Sequence, residues 1–140
     1  MLTVLACVAI AAHAGSDIEK RYAKIAEKPN AKAANSLVKT LYEQGLADSL
    51  STFTRDGDPR IMLTLSVYMS YYYFDKGEYE QAISMNERAL EYAVPGKDDV
   101  IITDNYIKMA GSYTYMSDFQ KGIQMNLKAL SMAKKTGVKV

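Results

Sequence analysis

Apolar and small side chains along the second half of the chain fall at helical spacing, in two stripes separated by a short polar break. Ile61, Leu65, Met69, Tyr72 and Tyr73 recur at intervals of three and four residues, and so do Tyr79, Ala82, Ile83, Asn86, Ala89, Leu90 and Ala93. That spacing puts each set on one face of an α-helix. Between the stripes lies Asp75-Lys76-Gly77-Glu78, where Gly77 stops the first helix, so the unit is an antiparallel helix hairpin. The turn Met116-Ser117-Asp118 does the same further along. Val94-Pro95-Gly96-Lys97-Asp98 ends one hairpin, because Pro95 and Gly96 cannot continue a helix, and Asp98 or Asp99 is placed to cap the next. Upstream, Asp17 to Lys28 reads as a helix stopped by Pro29. Ala31 to Leu46 reads as a second, with Ala34, Leu37, Val38, Leu41 and Tyr42 on one face and Gly45 near its end, and Asp48 to Pro59 reads as loop.

The two hairpins are copies of one another. With residues 58–97 set above residues 98–137, ten of the forty positions are identical: Asp58/Asp98, Ile61/Ile101, Met69/Met109, Tyr73/Tyr113, Ile83/Ile123, Met85/Met125, Asn86/Asn126, Ala89/Ala129, Leu90/Leu130 and Ala93/Ala133. Val67/Ile107, Ser70/Ala110, Glu78/Asp118, Tyr79/Phe119 and Arg88/Lys128 are near-matches. A repeat of this length is one supersecondary unit that buries its apolar face on its neighbours.

The run Tyr73-x3-Gly77-x-Tyr79-Glu80-x-Ala82-Ile83-x5-Ala89-Leu90 resembles a tetratricopeptide repeat. Ser70, Tyr73, Gly77, Tyr79, Ala82 and Ala89 fall on that family's key positions, and Ala110, Tyr113, Ser117, Phe119, Gly122 and Ala129 take their places in the second unit. The departures are Asn86 and Asn126, where the family has an aromatic, and a period of forty against roughly thirty-four. The resemblance implies an all-α chain of tandem antiparallel hairpins stacked as a short right-handed solenoid. Small residues at 70, 82, 110 and 122 would let helices approach closely, and residues 15–57 would cap the open edge of the first repeat.

Composition narrows the chemistry. Lys and Arg total 17 against 16 Asp and Glu over 140 residues, with both signs interspersed, which gives no basic surface for nucleic acid or anionic lipid. Residues 1–14 read as an export signal: Leu2 to Ala12 is apolar apart from Thr3, too short to span a bilayer, followed by the small-x-small pattern Ala12-His13-Ala14. Cys7 and His13 are the only cysteine and histidine, so cleavage there leaves a mature chain with no disulfide, no thiolate and no Cys/His metal site. The carboxylate pairs Asp56/Asp58, Asp98/Asp99 and Glu78/Glu80 sit at expected helix starts, where acidic residues complement the helix dipole and cap free N–H groups. Gly-rich phosphate loops, a nucleophile elbow and a dinucleotide fingerprint are absent. No cofactor and no metal is expected.

The resemblance implies recognition as the function, an interaction module of a bacterial signalling or scaffolding protein that binds a peptide or helix of a protein partner, and the export signal adds a periplasmic location as an expectation. By the family resemblance, the concave groove is lined by Thr64, Val67, Tyr71, Phe74 and Asp75 in the first unit. In the second it is lined by Asp104, Ile107, Gly111, Thr114 and Tyr115. Tyr72 and Tyr73 are expected in the core and Tyr71 and Phe74 free. Asn86 and Asn126 are either ligand contacts or buried amides bonded to backbone or a tyrosine hydroxyl. The outer face of the second hairpin carries Met125, Leu127 and Met132, an apolar edge suited to self-association or to continuation of the array. The alternative of another class is a small helical enzyme or ligand-binding domain using tyrosine and carboxylate groups.

Overall fold

A computed structural model describes residues 17–25, 27–28, 30–46 and 59–139. The proposed signal with Cys7 and His13, the pair Asp56/Asp58 and most of the 48–59 loop lie outside these residues. Among the described residues all regular structure is helical: α1 (17–25), α2 (Ala31–Glu43), α3 (Pro59–Asp75), α4 (Tyr79–Tyr92), α5 (Asp99–Tyr115) and α6 (Phe119–Thr136). From α2 onward each helix packs on the next one in sequence. Helices α3 and α5 are offset by forty residues at both ends, and α4 and α6 start forty apart, so the sequence period is a structural one.

Local chemistry explains the boundaries. Asn30 caps α2, its Oδ1 accepting from the Ala33 N–H at 3.1 Å. Pro59 opens α3 rather than closing the preceding loop, at a first-turn position where a missing N–H loses nothing. At the end of α3 the chain turns through Gly77 at φ +76°, with Glu78 N–H bonded back to the Tyr73 carbonyl at 2.9 Å. The second repeat makes the same turn with Asp118 N–H on Tyr113 O, yet Ser117 occupies the left-handed position at φ +63°. A side chain there costs about 1 kcal/mol that glycine avoids. Ser117→Gly should therefore raise stability by about 0.5–1 kcal/mol in urea unfolding, and Gly77→Ser should lower it by a similar amount.

A single core runs through the first four helices, from Ile18 and Ile25 on α1 through Leu37 and Leu41 on α2 and Leu65 and Met69 on α3 to Ala82 and Met85 on α4. Arg21 ties α1 to α2, donating to Thr40 Oγ1 at 2.8 Å and Ser36 Oγ at 2.9 Å. Tyr42 seals α2 over the first hairpin: its ring lies 4.9 Å from Tyr72 and 5.5 Å from Tyr73, and its hydroxyl donates to the Glu78 carboxylate. That bond, followed by desolvation, lifts the phenol to about 12. Helix α3 is buried beyond the single stripe read from its spacing, because it lies between α2 and α4: Met62, Leu63 and Ser66 are buried as well, while Tyr72 is only half-buried.

The close crossing expected in the second hairpin is present. A Cβ built on Gly122 would stand 2.9 Å from Thr114 Oγ1 and 3.3 Å from the Ala110 carbonyl oxygen. Two expectations are corrected. Asp98 stands at the start of α5 but makes no side-chain cap bond; its carboxylate is buried, accepting from Arg60 Nη1 at 2.6 Å and from Val94 N–H at 2.8 Å. Asp99 likewise turns outward from its helix, its Oδ1 accepting from Gly96 N–H at 2.8 Å. Met132 does not lie on the bare outer face: it is half-buried and lines a cavity of about 670 Å³ with Leu90, Ile102 and Tyr106.

Candidate groove between the first helices of the two repeats

Every residue assigned to the groove lies on α3 or α5, and the structure brings several of them together across the two repeats. The Tyr71 hydroxyl donates to Asp104 Oδ2 at 2.5 Å. Phe74 meets Tyr115 edge-on at 5.5 Å, and the ring also packs within 3.6 Å of where a Cβ on Gly111 would stand. Thr64 and Val67 are half-buried, Asp75, Ile107 and Thr114 are exposed, and Tyr115 is 66% exposed. Thr64 and Thr114 turn their hydroxyls back onto their own helices, bonding Arg60 O at 2.9 Å and Ala110 O at 2.8 Å, so they contribute methyl groups rather than free hydroxyls.

Tyr71 and Phe74 are thus not free, as the spacing alone suggests. Each is half-buried and holds the two repeats together. Aromatic rings on successive turns of α3 reach side chains that approach from α5, which no pattern within α3 can reveal. Burial, reinforced by the bond to Asp104 and by its charge, raises the Tyr71 phenol well above its ordinary value of 10. At neutral pH it is a hydrogen-bond donor and not a base. Three participants were not assigned to the groove from the sequence. Tyr79 of α4 stacks on Tyr115 at 5.1 Å with planes 9° apart and meets Phe74 at 5.4 Å. Lys108 of α5 holds its ammonium 5.1 Å from the Tyr71 ring centroid. Asn86 of α4, read two ways from the sequence, is buried at 1% exposure, and its Oδ1 has no donor among the described residues, whereas Asn126 is exposed.

These side chains enclose a cavity of about 220 Å³ between α3, α4 and α5, lined by Ser70, Tyr71, Phe74, Asp75, Asn86 and Lys108. It is smaller than the roughly 300–1,000 Å³ of pockets for drug-sized ligands, and suits one side chain or a few water molecules. Among the described residues no cluster of three or more His, Cys, Asp or Glu is placed to hold a metal ion, and no helix is long and apolar enough to cross a membrane.

The far edge of the second hairpin presents a second surface. Phe119, Ile123, Leu127 and Leu130 of α6 are each 42–61% exposed. Ile123 is 61% exposed where its repeat counterpart Ile83, on a helix covered by α5, is 7% exposed. No protein-family model, no curated protein and no solved structure matches the chain.

Proposed function

We propose that this chain is a protein-interaction module of the tetratricopeptide type, in which α3 and α5 line a groove for an extended peptide or helix of a partner protein. The observation that supports this reading is the pairing of Tyr71 with Asp104 and of Phe74 with Tyr115 between the first helices of the two repeats, beside a small cavity that Tyr71 and Phe74 line. Recognition rests on shape and hydrogen bonding, and no bond is made or broken. The export signal read over residues 1–14 and the long repeat period support a place in a periplasmic sensory or scaffolding protein. The exposed stripe on α6 is the face on which a further hairpin or a second copy would stack. Against the alternative of a small enzyme stands the protonation of its candidate groups: the Tyr42 and Tyr71 phenols are both held above their ordinary value, and a general base is needed near the working pH.

Selection of a displayed random-peptide library on the immobilised chain tests the reading. Peptides recovered on the wild type should lose at least tenfold in affinity on Tyr115→Ala, a loss above the roughly 1 kcal/mol that marks an energetically important contact. Tyr115 is 66% exposed, so the fold should survive, as far-ultraviolet circular dichroism will report. Selected peptides that bind Tyr115→Ala and Tyr71→Phe variants as tightly as the wild type would show that the groove is not the binding surface.

A further inference from the structure

The apolar stripe on α6 is wider than a further repeat would cover. Phe119, Ile123, Leu127 and Leu130 follow one another at intervals of four and three residues, on one face of the helix, and exposed Met116 adds to the start of the stripe. The repeat counterparts of Phe119, Ile123 and Leu130 are Tyr79, Ile83 and Leu90, all buried or half-buried on α4, which packs on α5. The counterpart of Leu127 is Glu87, which stays exposed. A third hairpin stacked on α6 as the second stacks on α4 would therefore leave Leu127 in water. The side chains that hold the second hairpin to the first are missing as well. Arg60 bonds Asp98, Tyr71 bonds Asp104 and Phe74 packs on Tyr115, but Val100, Gly111 and Thr114 stand at the positions of Arg60, Tyr71 and Phe74 in the second repeat.

We propose that this face pairs two copies of the chain, α6 against α6 and antiparallel, about a two-fold axis near Ile123 and Leu127. The surface can face itself because its charge lies elsewhere. Lys121 bonds Asp118 at 3.1 Å and leans on the Tyr113 ring, Lys128 leans on the Tyr106 ring, and Lys135 lines the cavity beside Ile102, all on the side of α5. Only Lys134, four residues past Leu130, continues the stripe. Parallel helices would set the two Lys134 ammoniums together. Antiparallel ones separate them by about 24 Å at 1.5 Å per residue, beyond the roughly 8–10 Å over which exposed charges interact in salt. The five apolar side chains expose on the order of 500 Å², as much as the patches that mark interaction faces. With the polar residues that border them they approach the roughly 800 Å² per partner of a standard interface. Among the described residues, α1 and α2 expose no large hydrophobic side chain, so the opposite end of the array offers no apolar surface for head-to-tail stacking. The contact closes at two copies, and it leaves open the groove of α3 and α5, on whose function it does not depend.

Sedimentation equilibrium of the full chain should show a monomer–dimer equilibrium with its midpoint at micromolar concentration, the weak end of what an interface of this size supports. Leu127→Glu, which restores the charge of the first repeat at an exposed position, should weaken the dimer about tenfold or more with unchanged far-ultraviolet circular dichroism. Ile123→Ser reads the same face a second time should Leu127→Glu lose helix content. Val100→Glu, as exposed but on α5, should leave dimerisation unchanged. The direction of pairing is read by oxidative cross-linking in a Cys7→Ser chain, which has no other cysteine. Gln120→Cys and Lys134→Cys chains should form a disulfide when mixed and not when each is oxidised alone. A wild type that stays monomeric to about 1 mM, a Leu127→Glu chain that keeps its helix content and dimerises like the wild type, assemblies that grow beyond two copies, or efficient cross-linking of Gln120→Cys with itself would each overturn the proposal.

Discussion

Asp98→Ala is expected to destabilise the chain by about 2–3 kcal/mol, roughly the worth of hydrogen bonds to a charged group that is lost from a buried site. The carboxylate is 3% exposed and satisfies two elements at once, the Arg60 guanidinium at the start of α3 and the Val94 N–H just past α4. Truncation leaves that N–H without its acceptor. Arg60, 43% exposed, can turn to water, which keeps the loss below the roughly 3–5 kcal/mol of a fully buried pair broken on one side. The same residue sets an acid limit. Arg60, helped by the bond from Val94, holds the carboxyl below its ordinary value of 3.8 against the opposing effect of burial. A carboxyl whose native pKa is depressed contributes stability that is complete above its unfolded value and is lost as pH falls through the native one. Urea midpoints taken from pH 6 down to pH 2 should therefore fall more steeply for the wild type than for Asp98→Ala, the difference between the two narrowing below about pH 4. Parallel curves would show that Asp98 is not ionically paired in solution.

Ala82→Leu is expected to cost about 1–3 kcal/mol by overpacking. Ala82 is fully buried in the shared core, at the repeat position where Gly122 of the second hairpin already stands so close to α5 that an added methyl would crowd the Ala110 carbonyl. Three further carbons in that space must displace either α3 or the core side chains packed around it. The control is Glu80→Leu, two residues away on the exposed side of the same helix, which should change stability by no more than about 0.5 kcal/mol. Thermal melts of the two variants read the register directly: equal melting temperatures would place the wrong face of α4 against α3.

Much of the helical layout can be read from residues alone because it depends on short-range rules. Gly45 and Gly77 take left-handed backbone at φ +68° and +76° just past their helices, as a stop signal requires, and Pro95-Gly96 separates the hairpins. Ala34, Leu37, Val38 and Leu41 are buried along one face of α2, as their spacing indicates. The candidate groove was legible only in part. Tyr71, Phe74, Asp104 and Tyr115 were assigned to one face by their repeat positions, but that Tyr71 bonds Asp104 and Phe74 packs on Tyr115 was not readable from those positions. The partners of Tyr71 and Phe74, Asp104 and Tyr115, come from a helix more than thirty residues away. Lys108 and Tyr79 carry no signal that marks them for this face, since a lysine on a helix and an aromatic at a repeat position both have ordinary structural uses.

What the sequence determined by itself is therefore the set of helices, their boundaries to within a few residues and the forty-residue copy that relates the two hairpins, because periodicity and turn chemistry act within a few residues of chain. Tertiary structure alone decided which polar groups became internal. Asp98 could have capped α5, but the approach of Arg60 across thirty-eight residues drew its carboxylate inward instead. Asn86 and Asn126 occupy the same repeat position and are chemically identical, yet the first is buried at the wall of the cavity between α3, α4 and α5 and the second is exposed on α6, whose outer side no described helix covers. A side chain's role in a stacked array depends on whether another hairpin follows it, and that is a property of the neighbours and not of the residue.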